Sequence, residues 1–346
     1  MTNIGVIGYG YWGPNLVRNF AEVPGSTLIA VSDLRPERLE QAHSRYPMIT
    51  TGTDYRALLD DKRVDAVVIA TPVSTHFELA MQALRANKHV WVEKPLAATS
   101  EQALQLIEEA ARRRLVLMVD HIFVYTGAVR KIHELVTKNH LGEVYYYDSV
   151  RINLGLFQHD VNVLWDLAVH DLSIMDYVLP AQPCAVSAVG LSHVPKSIEN
   201  IAYLTLLFKE NLIAHIHVNW LAPVKVRRTL IGAATNMIVY DDLEITEKVK
   251  VYDRGITINN SPESRYQMLV GYRAGDMWSP QLNMTEGLRT AVLHFIDCIA
   301  TGERPITDGE SGLRVVRILE AATRSMMERN KVVELEHRQV TDRIHV

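Results

Sequence analysis

A glycine-rich segment near the N-terminus has the spacing of a turn that binds a dinucleotide. Gly8, Gly10 and Gly13 form a GxGxxG pattern between an apolar run and a helical pattern, and Asp33 follows twenty residues after Gly13. The first glycine of such a turn permits a tight bend, the second lets backbone N–H groups approach a pyrophosphate, and the third lets helix and strand pack closely. The helix N-terminus adds partial positive charge. A purely structural glycine turn is the competing interpretation, but this context favours dinucleotide binding.

Asp33 is the residue expected to select the dinucleotide. Its carboxylate can accept hydrogen bonds from the adenosine ribose hydroxyls and repels a 2′-phosphate, which favours NAD over NADP. Arg35 and Arg38 lie close by in the sequence, where an arginine can accommodate that phosphate. Asp33 could instead cap a helix that begins near Pro36. We expect NAD to be the cofactor.

Two further segments place polar residues directly after apolar runs that are predicted to be strands. They are Thr71-Pro72 and Glu93-Lys94-Pro95. Ligands of open α/β sheets lie outside the carboxyl ends of the strands, so both segments are expected to face the cofactor. A lysine held there can donate to a substrate hydroxyl and stabilise a developing alkoxide, whereas most lysines are simply solvated. Proline favours an extended backbone at Lys94 and permits a cis bond.

Asp166 and His170 form the third element, four residues apart in a predicted helix. Side chains at this spacing share a face of the helix. A carboxylate beside an imidazole fixes its orientation and raises its basicity, so His170 could take the proton of an alcohol. A local ion pair or a core contact is the more common reason for such spacing, so the pair is a weak signal by itself.

The elements that must position these residues follow two different patterns. Apolar runs at 4–7, 28–31, 66–70, 89–92 and 115–119 alternate with helical patterns at 15–22, 36–45, 75–86 and 100–113. This alternation predicts a parallel sheet with helices on both faces. Later, helices at 128–138 and 161–179 bracket a strand at 144–153, and strands follow at 185–191, 201–208, 212–220, 226–231, 237–240 and 248–252. That order predicts an α+β domain, with an irregular segment at 254–280, helices at 288–300 and 312–328, and a last strand at 331–335.

Composition excludes several classes of protein. Hydrophobic residues make up 48% and charged residues 22% of the 346 residues, and the formal net charge is −4, so neither a disordered chain nor a nucleic-acid or membrane partner is expected. Two cysteines without CxxC spacing predict no disulfide framework. His215 and His217 could ligate zinc, but no further ligand is evident nearby, and no metal site is predicted. The N-terminus has no signal-peptide pattern, and we expect a cytoplasmic location.

The glycine motif, Glu93-Lys94-Pro95 and the Asp166–His170 pair together resemble the Gfo/Idh/MocA family of NAD(P)-dependent oxidoreductases over essentially the whole chain. The resemblance implies that Lys94 and His170 act on the substrate hydroxyl, with Asp166 as a substrate contact or as the partner of His170. His170 would be the base in oxidation. The resemblance also implies an open-faced sheet that buries one face in a homodimer or homotetramer.

Segments 10–15 and 163–166 are similar to a subgroup of nucleotide-sugar metabolism that oxidises C3 of UDP-N-acetylglucosamine or its uronic acid. An aminotransferase can then install a 3-amino group, as in lipopolysaccharide biosynthesis. Such a substrate carries a pyrophosphate, which Arg151 and Asn153 on one strand, or Lys225 and Arg227 on another, could meet. Solvated strand residues or oligomer contacts are an equal alternative for these four.

The predicted fold is α/β, with a doubly wound Rossmann domain at 1–122 and an α+β domain for substrate binding and oligomerisation at 123–346, built on a mostly antiparallel sheet. The predicted NAD contacts are Gly8, Gly10, Tyr11, Trp12, Gly13, Asp33, Arg38, Thr71, Pro72, His76, Glu93, Lys94 and His121. The predicted substrate contacts are Tyr125, Arg151, Asn153, Asp166 and His170. The alternatives are a dehydrogenase of inositol or a free sugar, an NAD-dependent glycoside hydrolase, and a ligand-sensing regulator without turnover.

Overall fold

The computed structural model describes residues 1–155, 161–194, 198–258 and 270–335. The chain divides into two compact units. Among the described residues, the first unit contains 1–126 and 285–320, and the second contains 127–284 and 321–335. None of the helices in the described ranges is long and apolar enough to cross a bilayer.

The first unit is built on a six-stranded parallel sheet with the strand order β3-β2-β1-β4-β5-β6. The strands are β1 (Thr2–Ile7), β2 (Ser26–Ser32), β3 (Thr50–Gly52), β4 (Ala66–Ile69), β5 (His89–Val92) and β6 (Leu117–Val119). The helices between them are α1 (Gly13–Glu22), α2 (Pro36–Arg45), α3 (Tyr55–Asp60), α4 (Val73–Arg85) and α5 (Ser100–Arg113). The strand order changes direction between β1 and β4, the switch point where such sheets bind ligands. The predicted Rossmann architecture is confirmed.

The second unit is built on a nine-stranded sheet with the order β16-β13-β12-β11-β7-β10-β9-β8-β17. Its strands are β7 (Val144–Leu154), β8 (Ala185–Leu191), β9 (Ile201–Leu207), β10 (Ile213–Asn219), β11 (Leu221–Ala233), β12 (Met237–Asp241), β13 (Val249–Tyr252), β16 (Met277–Trp278) and β17 (Val333–Glu334). The β7–β10 pair is parallel and the other neighbouring pairs are antiparallel, which confirms a mostly antiparallel sheet. A separate hairpin joins β14 (Gly255–Ile258) and β15 (Val270–Arg273) within the segment predicted to be irregular, and 259–269 lie outside the described residues.

The two faces of this second sheet differ. Helices α6 (Gly127–Thr137) and α7 (Val169–Val178) pack against each other, and α7 packs on β7. Alternate residues of β10 that share a face, Ala214, Ile216 and Val218, are fully buried. The opposite face exposes large apolar side chains, which are Val189, Leu191, Tyr203, Leu207 and Ile213. That face is therefore open within a single chain.

Two late helices return to the first unit. Helix α8 (Gly287–Thr301) and most of α9 (Gly309–Met327) belong to it. Phe295 of α8 packs edge-on against Phe20 of α1 and Trp91 of β5, with ring centroids 6.2 and 5.5 Å away. A single division at residue 122 places these helices in the second domain, whereas their apolar faces complete the core of the first.

Candidate functional site

The glycine-rich turn joins β1 to α1. Gly8 has a φ of 100°, and a Cβ there would lie 2.5 Å from the carbonyl oxygen of Ala70, so only glycine fits. A Cβ at Gly13 would lie 2.4 Å from the Gly8 carbonyl oxygen. A Cβ at Gly10 would meet only the Arg35 guanidinium, at 3.5 Å. The fold itself therefore requires Gly8 and Gly13, while Gly10 leaves open space at the helix N-terminus.

Asp33 braces this turn. Its Oδ2 accepts the Tyr9 N–H at 2.7 Å, and its Oδ1 accepts the Arg35 backbone N–H at 2.9 Å and the Arg35 Nε–H at 3.2 Å. Burial opposes ionisation, but the bonds from Tyr9 and Arg35 outweigh it and hold the pKa of Asp33 below its ordinary value. The N-cap of α2 is Arg35, so Asp33 does not cap that helix. Arg38 is half-buried, and its Nη1 donates to Gln41 Oε1 at 3.3 Å.

His76 connects the loops that follow β4 and β5. Its Nδ1 lies 2.8 Å from the Pro95 carbonyl oxygen and its Nε2 lies 2.8 Å from that of Thr71. Because both ring nitrogens are engaged and the ring is 1% exposed, His76 positions the two loops instead of offering a nitrogen to a cofactor. This argues against its assignment as a direct contact of NAD. Thr71 and the exposed Pro72 keep the positions at the strand edge that the sequence indicated.

The segment after β5 carries Glu93, Lys94 and Pro95, and the Lys94–Pro95 peptide bond is cis. Lys94 is half-buried, and its backbone N–H donates to Glu93 Oε2 at 3.2 Å. Lys94 therefore lies one residue beyond Glu93, which directly follows the parallel strand β5, and its contact with substrate and cofactor stays a prediction.

Asp120, which directly follows β6, is a polar residue that the sequence analysis missed. It is 2% exposed, and its Oδ2 accepts the indole N–H of Trp12 at 3.2 Å. Trp12 is the N-cap residue of α1. Its position in the sequence could have indicated it, because Asp120 directly follows β6 as Glu93 directly follows β5.

His121 and Tyr125 both lie in buried surroundings. Burial, and then the charges of Lys94 and Arg314, lower the pKa of His121 to about 3, so its ring is neutral at physiological pH. The Tyr125 hydroxyl lies 3.1 Å from Thr307 Oγ1, and its ring is 3% exposed and packs near His294. Tyr125 is thus part of the core of the first unit, which argues against its assignment as a substrate contact.

In the second unit, Asp166 lies in a π-helical turn. The stretch predicted as one helix at 161–179 contains a π turn at Leu164–Ala168 followed by α7. Asp166 Oδ2 accepts the indole N–H of the buried Trp220 at 3.1 Å. His170 is the second residue of α7, one turn further on, and is half-buried. Such π turns are frequent at functional sites, and here the turn carries Asp166, the predicted substrate contact or partner of His170.

Asp171, next to His170, fixes α7 to the sheet. Its Oδ1 accepts the Ser149 hydroxyl at 2.7 Å, and its Oδ2 accepts the Arg151 Nε–H at 2.7 Å. Arg151 and Asp171 are 3% and 2% exposed. This buried ion pair engages the charge of Arg151 inside the fold, which argues against its assignment as a substrate contact.

The remaining candidates for phosphate binding lie on β7 and β11. Asn153 is half-buried and Lys225 is exposed. Arg227, opposite Arg151 in the strand register, donates from Nη1 to Asp242 Oδ2 at 3.2 Å and keeps 29% of its side chain exposed.

Comparison with known proteins establishes the family. The family described as "Oxidoreductase family, NAD-binding Rossmann fold" matches residues 2–121, and its companion "C-terminal alpha/beta domain" matches residues 133–335. The chain therefore belongs to the Gfo/Idh/MocA oxidoreductase family and binds NAD through its first unit. Its relatives include a myo-inositol dehydrogenase and a UDP-N-acetylglucosamine dehydrogenase, and the chain is an oxidoreductase.

Individual relatives differ in substrate. UDP-N-acetylglucosamine 3-dehydrogenase of Acidithiobacillus ferrooxidans is 29% identical over 90% of this chain and 93% of its own, and myo-inositol 2-dehydrogenase of Thermotoga maritima is 25% identical over 95% and 97%. A solved structure of the Acidithiobacillus enzyme has a TM-score of 0.79, with 94% of this chain and 96% of that chain covered at 28% identity. A levoglucosan dehydrogenase solved with NADH shares the fold at a TM-score of 0.82 and 19% identity, covering 97% and 100% of the two chains.

The residues present in the first unit fit NAD. Gly10 leaves room for a pyrophosphate at the N-terminus of α1, where helix N–H groups attract anions. Asp33 uses three of about four acceptor positions on its carboxylate, which leaves capacity for a ribose hydroxyl. Tyr11 is exposed beside the turn.

Proposed function

We propose that this chain oxidises the C3 hydroxyl of a UDP-N-acetyl-hexosamine, UDP-N-acetylglucosamine or its uronic acid, to the 3-keto sugar. The main support is that Lys94, Asp166 and His170 are all present in this chain, which is 29% identical over 90% of its length to a UDP-N-acetylglucosamine 3-dehydrogenase. The ketone would be the substrate of an aminotransferase that supplies 3-amino sugars for cell-surface polysaccharide.

His170 takes the hydroxyl proton in the proposed mechanism. A neutral imidazole suits this task because its ordinary pKa lies near neutrality. Asp166 would orient the ring or the substrate, and the Trp220 indole N–H holds one oxygen of Asp166 in place. The Asp171 bonds to Ser149 and Arg151 keep the start of α7 against β7, which fixes the backbone that carries His170.

Lys94 is proposed to donate to the same hydroxyl oxygen and to stabilise the negative charge that develops as the proton leaves. When bound, NAD would supply the hydride acceptor for oxidation of the carbon that carries this hydroxyl. The His76 bonds to both neighbouring loops restrict the strand edge on which Lys94 lies.

Recognition of the nucleotide is assigned to the second unit. With Arg151 engaged by Asp171, the pyrophosphate would depend on Asn153, Lys225 and Arg227. Of these three residues, Arg227 is the strongest candidate for binding the pyrophosphate, because a guanidinium can form two parallel hydrogen bonds with phosphate oxygens.

Dehydrogenation of an inositol or a free sugar is the second candidate. The myo-inositol 2-dehydrogenase relative covers 95% of the chain, and the loss of Arg151 from the phosphate candidates removes one argument for a nucleotide. A free polyol needs no cation in the second unit.

The deciding experiment follows NADH absorbance with NAD and a substrate panel of UDP-N-acetylglucosamine, its uronic acid, UDP-glucose, myo-inositol and glucose. A 3-aminotransferase with glutamate traps the ketone, because its formation can be unfavourable at equilibrium. Signal confined to the N-acetylated UDP sugars supports the proposal, and signal with myo-inositol alone selects the second candidate. If no substrate of the panel produces NADH and the purified protein retains NAD tightly, the glycoside hydrolase alternative is favoured. If no substrate produces NADH and NAD is not retained, the ligand-sensing regulator is favoured.

A second copy of this chain is the proposed partner of the open sheet face in a homodimer or homotetramer. Exposed Val189, Leu191 and Tyr203 lie on adjacent strands β8 and β9, and contiguous apolar surface of this kind marks an interface. Light scattering should show that Val189→Lys lowers the assembly size, whereas Met48→Lys, at an exposed site of the first unit, leaves it unchanged.

A further inference from the structure

Two acids lie side by side at the ends of neighbouring strands in the first unit. Val92 and Val119 are register partners of the parallel strands β5 and β6, so Glu93 and Asp120 occupy the next positions along. The Asp120 backbone N–H donates to the Val92 carbonyl oxygen at 2.8 Å, which continues the ladder. Asp120 is buried, and although part of the Glu93 side chain reaches the surface, its Oε1 atom is buried as well.

Each carboxyl group has one oxygen held by an N–H donor and one oxygen without a donor. Glu93 Oε2 accepts the Lys94 N–H and Asp120 Oδ2 accepts the Trp12 indole N–H, both at 3.2 Å. Among the described residues, Glu93 Oε1 and Asp120 Oδ1 have no hydrogen-bond partner. Because the two residues follow register partners, their carboxyl groups lie next to each other at the strand ends, and the charge of Asp120 acts on Glu93. One proton between them supplies the donor that both buried oxygens lack.

The neighbouring charged and titratable groups do not supply the donor that the two buried oxygens lack. Lys94 is the cation that acts on both acids, and it favours their ionised forms. His121, next to Asp120, is neutral because burial and the charges of Lys94 and Arg314 lower its pKa. Burial, and then the charge of Asp120, nevertheless raise the pKa of Glu93 well above its ordinary value, and burial raises that of Asp120.

We propose that Glu93 and Asp120 form an acid pair that shares one proton at neutral pH and that this pair holds the Trp12 indole in place at the start of α1. Asp120 is thus a positioning residue for the glycine-rich turn. The pair can be tested without substrate or cofactor. Only its consequence for NAD affinity rests on the proposed function.

The first test measures unfolding against pH for the wild type, Asp120→Asn, Glu93→Gln and the exposed control Glu40→Gln. The folded wild type keeps a proton that the unfolded acids release above their ordinary pKa, so its stability falls as pH rises toward the raised pKa of the pair. Relative to either amide variant, its folded-to-unfolded ratio should fall up to about tenfold per pH unit in this range. Parallel curves for wild type and both amide variants would overturn the proposal.

A second measurement needs no variant to be stable. Infrared difference spectra of the wild type at neutral pH should contain the carbonyl band of a buried carboxylic acid, and a spectrum with carboxylate bands alone would contradict the shared proton.

The positioning role is tested by NAD titration. Asp120→Ala should raise the Kd for NAD about tenfold, because the Trp12 bond is lost. Asp120→Asn, which can still accept that bond and donate to Glu93, should stay within about threefold of wild type. Equal losses in the two variants would reject positioning through Trp12.

Discussion

The carboxyl edge of the first sheet and the start of α7 in the second unit hold their functional side chains by different means. In the first unit Asp33 and Asp120 directly follow a strand, and Thr71 and Lys94 lie one residue further on, so the parallel ladder determines where they lie. In the second unit Asp166 and His170 lie on one helical stretch, and side-chain bonds from distant residues fix its position. Backbone pairing therefore sets the first arrangement, with side-chain bonds added at the loops, whereas the second depends on individual polar partners.

The largest effect is expected from the two proposed catalytic side chains. Lys94→Met and His170→Ala should each lower kcat by at least ~100-fold, because proton transfer and charge stabilisation are lost. NAD titration should show unchanged cofactor affinity for His170→Ala. The exposed residues Lys62 and His43 provide the matched controls Lys62→Met and His43→Ala. Near-normal turnover in either test variant would remove that residue from the mechanism.

The buried ion pair tests the second arrangement through stability. Arg151→Met leaves Asp171 buried without its guanidinium, and the free energy of unfolding should fall by about 3–5 kcal/mol. Arg227→Met, which breaks the more exposed pair with Asp242, should cost about 1 kcal/mol or less. Chemical denaturation measures both. If Arg151→Met leaves the free energy of unfolding unchanged and raises the KM for a UDP sugar, Arg151 is a substrate contact after all.

A smaller effect is expected at the indole that holds Asp166. Trp220→Phe removes the N–H donor while retaining an aromatic ring, and kcat should fall about tenfold with the KM for NAD unchanged. Trp165→Phe is the control, because its indole donates to Thr323 Oγ1 at 3.0 Å instead of to Asp166. Similar kcat losses in the two variants would mean that packing, not the bond to Asp166, sets the rate.

An effect of similar size is expected on the choice of cofactor. Asp33→Asn preserves an acceptor for the Tyr9 N–H but removes the charge, so the preference for NAD over NADP in kcat/KM should fall about tenfold. Glu37→Gln, an exposed acid on the following helix, should leave the preference unchanged. If the preference is the same in Asp33→Asn and wild type, Asp33 acts only as a brace for the turn.

Much of the first unit could be predicted because its strands are continuous apolar runs. The short elements β3 and α3 were missed, since three and six residues carry little periodic signal. Asp120 was missed because it lies outside every motif, and its partner Trp12 is 108 residues away. The return of α8 and α9 to the first unit also escaped the sequence, because an amphipathic helix does not show which core it covers.

The sequence by itself determined the alternation of strands and helices, the glycine turn, and the residue types at the strand ends. These features are local, because a period of two or 3.6 residues and a glycine requirement act within a few positions of the chain. Only the tertiary structure decided that Arg151 binds Asp171, that His76 braces two loops and that Tyr125 belongs to the core. These roles depend on which distant groups meet a side chain once water is excluded, and such pairings leave no periodic trace in the sequence.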